Sequence, residues 1–319
     1  MAKLAAIITA YNRADFIGKC IESVLQDADD DLDIEVIVMD NGSKDGSGEV
    51  ARQAGARVER TEDNRHIVEV INRGLGLAHA IADVEYILYM NDDTEFTPGS
   101  LRKMVEACSA HPHGLMTPLQ INYRQPGMID DSAFGHLAAV RSLIEDALME
   151  RPLEEVYPLP TIIGAAMFAR TETWRVLGEF DPLFWFYGID DDLCTRARWL
   201  GYEILLVTHA HLLHAHGKLD AEPQAASKAQ RDMKWRNELQ ARHLFLLKDP
   251  GRSLAVNLFR AAGLALKTSF RNLCGLWPWG VWQSLAVFLH CVTQIPRIRD
   301  TRRRHFDPAR KLDSGREPK

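Results

Sequence analysis

Four short apolar runs, LAAIITA (4–10), IEVIVMD (34–40), ARVER (56–60) and EYILYM (85–90), alternate with three segments of helical apolar spacing, FIGKCIESVLQ (16–26), GSGEVARQAG (46–55) and VEVINRGLGLAHAIA (68–82). No other feature narrows the fold as far. Strand and helix in alternation imply a parallel sheet with right-handed crossovers, and the runs are aliphatic enough to be covered on both faces. In such a sheet ligands gather beyond the carboxyl ends of the strands. Three polar clusters fall there: Thr9 to Arg13 after the first run, Asp40 to Ser43 after the second, and Asn91, Asp92 and Asp93 after the fourth.

The last cluster poses a physical problem. Adjacent carboxylates repel, and each raises the cost of ionising the other unless a cation, a donor or water offsets the charge. A strand that ends YMNDD therefore predicts a compensating group at its tip.

Composition removes several alternatives. With 46% hydrophobic and 26% charged residues in 319 positions, the body is that of an ordinary globular protein with a substantial core. The net charge of −6 divides unevenly: residues 251–319 hold 13 Lys/Arg against 4 Asp/Glu, so the first 250 residues are strongly acidic. That disfavours nucleic acid as a partner, since phosphate contacts need a positive face. Five scattered cysteines without a CxxC pair point to reduced thiols rather than a disulfide framework or zinc site. The apolar start MAKLAAIITAYNR is too short for a secretory leader and lacks a small-residue cleavage site.

Residues 114–160 carry no clear period and read as an insertion with a short helix. After them TIIGAAMFAR (161–170) reads as a strand and TETWRVLG as a short helix ending at Gly178. An aromatic loop, an acidic helix start at GIDDDL and a further strand follow.

Together ITAYNR, VMDNGSKDGS, NRGLGLA, YMNDDT, GEFDPLFWFYGIDDDLCTRARWLGY and KWRN resemble, in order and spacing, the inverting family 2 glycosyltransferases, in particular their rhamnosyl- and galactofuranosyltransferase-like branch. The resemblance spans about residues 4–245 and implies a GT-A fold: an α/β, Rossmann-like, mixed but mainly parallel sheet flanked by helices. It implies a domain over 1–250, with a nucleotide-sugar half (1–110) and an acceptor half (111–250). The activity it implies is metal-dependent transfer of one sugar, with inversion, from a nucleotide-diphosphate sugar of UDP or dTDP type to a hydroxyl of a glycan or polyprenyl-linked acceptor, in bacterial surface-polysaccharide synthesis. The QxxRW signature of processive members is absent, and so is the GxGTR loop of sugar nucleotidyltransferases.

The resemblance also assigns residues. Asp93 is the ligand of Mn2+ or Mg2+, with Asn91 standing where the family's acidic motif usually begins, and Asp92 lies on the ribose or beside the ligands. Thr9, Tyr11 and Asp40 fall on the base or ribose, Arg13 near the phosphates, and Asn72 and Arg73 on the nucleotide side. In GIDDDL, Asp190 takes the position of the base that accepts the acceptor's proton and Asp192 the second acidic position. Ile189 stands where an acid is common, which leaves Asp191 open as the alternative base. In HAHLLHAHG (209–217), His214 completes the metal shell, with His216 the alternative. Trp185 is a platform for a sugar ring or an apolar tail, or a core-packing aromatic. Two rivals stay open: an inactive nucleotide-binding scaffold, suggested by Asn91 and Ile189, and a nucleotidyltransferase.

From Leu254 the pattern becomes an amphipathic helix with Arg260, Lys267 and Arg271. It is followed by 272–296, which has no charged side chain and has tryptophans at 277, 279 and 282, and then by RIRDTRRRHF. Residues 251–319 are expected to form a basic helical tail. It would lie on the inner face of the cytoplasmic membrane, with tryptophans at headgroup depth and arginines on anionic lipid. A homodimer contact or a single span is the alternative use of the segment.

Overall fold

The computed structural model describes residues 1–126, 128–130, 141–162, 164–215 and 227–312. The predicted alternation is present: β1 (Ala2–Ala10), α1 (Ile17–Leu25), β2 (Leu32–Asp40), α2 (Ser47–Gln53), β3 (Arg57–Arg60), α3 (Ile67–Ala80) and β4 (Tyr86–Asn91). β1 pairs in parallel with β2 and β4, and β2 with β3. The chain then adds β5 (Thr94–Phe96), α4 (Ser100–Ala110), β6 (Gly114–Asn122), α5 (Arg141–Leu148), β7 (Val156–Pro158), β8 (Ala166–Arg170) and α6 (Thr171–Leu177). α7 (Ile189–Leu200) and β9 (Glu203–His214) complete the sheet.

The sheet runs β3-β2-β1-β4-β8-β6-β9-β5, with β7 also on β9. β8 is antiparallel to β4 and β6, β9 is parallel to β6, and β5 and β7 run antiparallel to β9. The GT-A expectation of a mixed, mainly parallel sheet thus holds. The region expected to be an insertion corrects the sequence reading, because it supplies β6 and β7. Their apolar residues are interrupted by Pro118 and Pro158, which hid the strand pattern.

Alternation along each strand sends side chains to two cores. Ile7, Ile37, Met39 and Tyr89 face α3, α6 and α7, whereas Leu4, Ile8, Val36 and Met90 face α1 and α4. Each fully buried aliphatic side chain contributes about 1.5–3 kcal/mol. The sheet is therefore stiff, and its strand ends hold their positions.

The C-terminal helices are α8 (Lys228–Lys248), α9 (Leu254–Cys274), α10 (Pro278–Thr293) and α11 (Ile295–His305). Ala261, Val287, Cys291 and Ile298 join the same core as the sheet's α7 side. Among the described residues no helix is long and apolar enough to cross a membrane. Outward the tail exposes Phe259, Leu266, Phe270, Leu273, Trp279, Trp282 and Leu289.

Candidate active site

A cavity of about 370 Å3 opens at the carboxyl ends of β1 and β4. Thr9, Tyr11, Asn91, Asp92, Asp93 and Asp190 line it, with Asn41, Ile67, Tyr89, Gly164, Ala165 and Phe186 completing the wall. The strand-end clusters read from the sequence thus converge, and the first acid of α7 joins them from 97 residues beyond Asp93.

The paired carboxylates have a protein partner. Arg13, itself buried, sets Nε 3.4 Å from Asp92 Oδ1 and a terminal nitrogen 3.1 Å from Asp93 Oδ2. The Tyr11 backbone N–H donates to Asp92 Oδ2 at 3.1 Å. Burial, reinforced by the Asp93 charge, still pushes the Asp92 carboxyl up to about 7, against the pull of Arg13. One guanidinium does not fully balance two carboxylates there.

Asp93 also meets a histidine. The antiparallel pairing of β5 with β9 sets Thr94 opposite His214, and the Ala215 N–H donates to the Asp93 carbonyl at 2.8 Å. His214 Nε2 then lies 3.5 Å from Asp93 Oδ1, while its Nδ1 is 3.7 Å from the fully buried Asp130. His214 is the last residue of β9. His209, on the same strand, is exposed and His211 half-buried. His216 lies outside the described residues.

Asp190 sits in the first turn of α7. Gly188, with φ +85°, opens that helix, and a Cβ there would fall 2.8 Å from the Phe245 ring. The Gly164 N–H donates to Asp190 Oδ2 at 2.9 Å, and Asp190 Oδ1 is buried without a hydrogen-bond partner among the described residues. Burial pushes the Asp190 carboxyl up to about 7, with Asp191 adding to the shift. Asp191 is exposed and accepts from the Thr161 hydroxyl at 2.7 Å. Ile189, where an acid was expected, is buried in the core.

Other assignments move away from the cavity. Asp192 is only 1% exposed: Lys248 Nζ lies 2.5 Å from both Asp192 and Asp181, and Arg196 Nε lies 3.2 Å from Asp192. Asp192 is a structural ion, because α7 turns it about 200° from Asp190. His305 Nδ1 is 3.8 Å from Asp181. Asp181, Asp192 and His305 are close enough together to suggest a metal site, but the Lys248 ammonium already occupies the cation's place.

Asp40 is buried, accepts from the Ser43 N–H and closes the turn after β2, so Asn41 faces the cavity in its stead. Asn72 exchanges two hydrogen bonds with the Phe180 backbone, at 2.8 and 2.9 Å, and holds the aromatic loop to α3. Arg73 pairs with Glu59 on the surface. Trp185 stands beside the cavity, its ring edge-on to His66 at 4.4 Å, and Phe186 does the lining. Asn41 and Phe186 were legible as neighbours of flagged residues. Gly164 and Asp130 carried no local signal.

Comparison with known proteins bears on the family and the fold. Residues 5–132 match the model of the family described as glycosyl transferase family 2. An N-acetylglucosaminyl-diphospho-decaprenol L-rhamnosyltransferase of Mycobacterium tuberculosis is 25% identical over 209 residues, covering 57% of this chain and 66% of the relative. An uncharacterized glycosyltransferase of Nostoc is 26% identical over 238 residues, 73% of this chain and 70% of the relative. Among solved structures, the mannosyltransferase PcManGT of Pyrobaculum calidifontis, in complex with GDP-Man and Mn2+, superposes with a TM-score of 0.54 at 16% identity, over 92% of this chain and 86% of its own. GalNAc-T7 with UDP, GalNAc and Mn2+ gives 0.56 at 12% identity, over 78% of this chain and 51% of its own. At such identities these two establish a shared GT-A fold.

Proposed function

The chain belongs to glycosyl transferase family 2 through residues 5–132, and on that premise we propose a metal-dependent, inverting transfer of one sugar from a nucleotide-diphosphate sugar to a hydroxyl of a lipid-linked or glycan acceptor. The observation that carries this reading is Asp190: a carboxylate with one oxygen held by Gly164 and the other buried without a hydrogen-bond partner among the described residues, lining the same cavity as the strand-end acids. A base for direct displacement has to face the anomeric carbon from the side away from the leaving group. A carboxyl raised to about 7 is matched to that proton transfer near neutral pH.

Asp93 and His214 would hold the cation. Their ligand atoms, 3.5 Å apart, are near enough to share one ion, and a carboxylate with an imidazole suits Mn2+ better than Mg2+. A bound divalent cation supplies charge neutralisation for the departing diphosphate. Arg13 lies beside the same acids and offers a second cationic group for the phosphates. Thr9, Tyr11 and Asn41 form the wall available to the nucleotide, and Asp92, near its midpoint at neutral pH, can accept from a ribose hydroxyl.

The diphospho-decaprenol in the relative's name supports a lipid-linked acceptor here; a donor of UDP or dTDP type is what the family resemblance implies. The tail's outward face supports work at a membrane surface: Phe259, Phe270, Trp279 and Trp282 are exposed beside Lys267 and Arg271. The test is incubation with a panel of sugar nucleotides and Mn2+, followed by NMR of the released or transferred anomer. Metal-dependent turnover with inverted configuration is expected. A retained configuration refutes direct displacement, and the absence of donor turnover with every nucleotide supports the inactive scaffold.

A further inference from the structure

Two hollows adjoin the catalytic cavity on its α8 side. One, of about 290 Å3, is lined by His66, Trp185, Asn237, Gln240, His290 and Arg297 among others. The second, of about 390 Å3, shares Asn237, Gln240 and His290 with it and adds Arg236, so the two form one groove between α8 and α10. The inner end of that groove is the His66–Trp185 ring pair, and the next residue of each, Ile67 and Phe186, lines the catalytic cavity. The His66–Trp185 pair therefore marks where groove and cavity come next to each other.

The charges on the two sides of that pair are opposite. The cavity wall carries Asp92, Asp93 and Asp190, whereas the groove carries Arg236, Arg297 and two histidines and, among the described residues, no carboxylate in its lining. Amide groups of Asn237 and Gln240 add donors. The outer wall is α10, whose exposed Trp279, Trp282 and Leu289 belong to the apolar face of the tail. A ligand lying here would place an anion on the arginines, a hydrocarbon chain toward that face and its far end at the His66–Trp185 pair, next to the cavity that Asp190 lines.

We propose that this groove binds the diphosphate of a polyprenyl-diphosphate acceptor, so that the attached sugar reaches past Trp185 to Asp190. This rests on the transferase reading above and adds the acceptor's anionic group to it. The donor diphosphate needs the acids and their cation, and a second diphosphate needs a cationic place outside them.

The test uses the full chain and its Arg236→Ala/Arg297→Ala double variant, with the Lys/Lys double variant as the charge-preserving control. Co-flotation is measured with vesicles of phosphatidylcholine alone, of phosphatidylcholine with a long-chain polyprenyl diphosphate, and of phosphatidylcholine with phosphatidylglycerol matched for charge. The wild type should prefer the polyprenyl-diphosphate vesicles, and the Ala/Ala variant should lose that preference by about tenfold, the worth of two exposed charge pairs. The Lys/Lys variant should retain most of it. Equal binding to the phosphatidylglycerol vesicles, or an undiminished preference in the Ala/Ala variant, overturns the proposal. Calorimetry with free pyrophosphate in EDTA separates the two readings. Binding lost in the Ala/Ala variant keeps the anion site even where no vesicle binds, which would refute the membrane reading alone, while equal binding by both proteins removes the site.

Discussion

Gly164 donates its backbone N–H to one oxygen of Asp190, and a Cβ on Gly164 would fall 2.5 Å from the other oxygen. The residue that orients the proposed base is therefore one that only glycine can be without moving it. Gly164→Ala should displace the carboxylate and lower kcat by roughly tenfold to a hundredfold, because ångström-scale misplacement of a reacting group costs that much. Donor affinity measured by calorimetry should change little. An unchanged kcat would remove Asp190 from the base position.

Asp190→Asn should abolish transfer while leaving donor binding intact, whereas Asp191→Asn, at an exposed acid, should retain most activity. In wild type, kcat should rise with pH to a midpoint near 7 as Asp190 ionises. The stability effect has the opposite sign. Because the folded carboxyl binds its proton more tightly than the unfolded one, its contribution is present at acid pH and lost as pH rises through about 7. The Asn variant should therefore melt at a higher temperature than wild type above that pH, as read by calorimetry, and a lower melting point there contradicts the assignment.

Asp93→Ala and His214→Ala should each weaken Mn2+ binding, as followed by the loss of free-ion signal in electron paramagnetic resonance. Asp93→Ala should have the larger effect, since it removes a charged ligand. Asp130→Asn should weaken it less, through a looser hold on the imidazole. Mn2+ affinity unaltered in both of the first two would place the ion elsewhere.

Lys248→Met should destabilise the fold by about 3–5 kcal/mol, as measured by urea unfolding, because it leaves Asp181 and Asp192 buried without their ammonium. That loss should be partly recovered in Lys248→Met/Asp181→Asn. The same cluster reaches His305, which burial and the nearby Arg196 and Lys248 keep well below its ordinary range, so it stays neutral. Truncating the tail before α11 would break this packing. Vesicle binding is better tested by Trp279→Ser/Trp282→Ser, which should reduce co-flotation with anionic vesicles without lowering the melting point.

How far the chain could be read varied with the range of the forces involved. Continuous aliphatic runs and an apolar spacing of 3.6 residues revealed β1 to β4 with α1 to α3, because a strand or helix buries its own faces according to its own sequence. The polar tips followed from the topology those elements impose, and Thr9, Tyr11, Asp92 and Asp93 do line one cavity, with Arg13 paired to the two acids; Asp190, which lines it too, was assigned by the family resemblance. The surroundings of Asp192 were not legible, since two residues along a helix turn a carboxylate from a cavity into a core.

Local sequence by itself determined the parallel N-terminal part of the sheet and the acidic strand ends, through propensity and period. Only the tertiary structure decided that β5 pairs with β9, that the Gly164 N–H holds Asp190 and that Asn41 replaces Asp40 at the wall. Each of those depends on pairing or packing between segments far apart in the chain. Such contacts are selected by the energy of the whole fold, and nothing in the neighbouring residues records them.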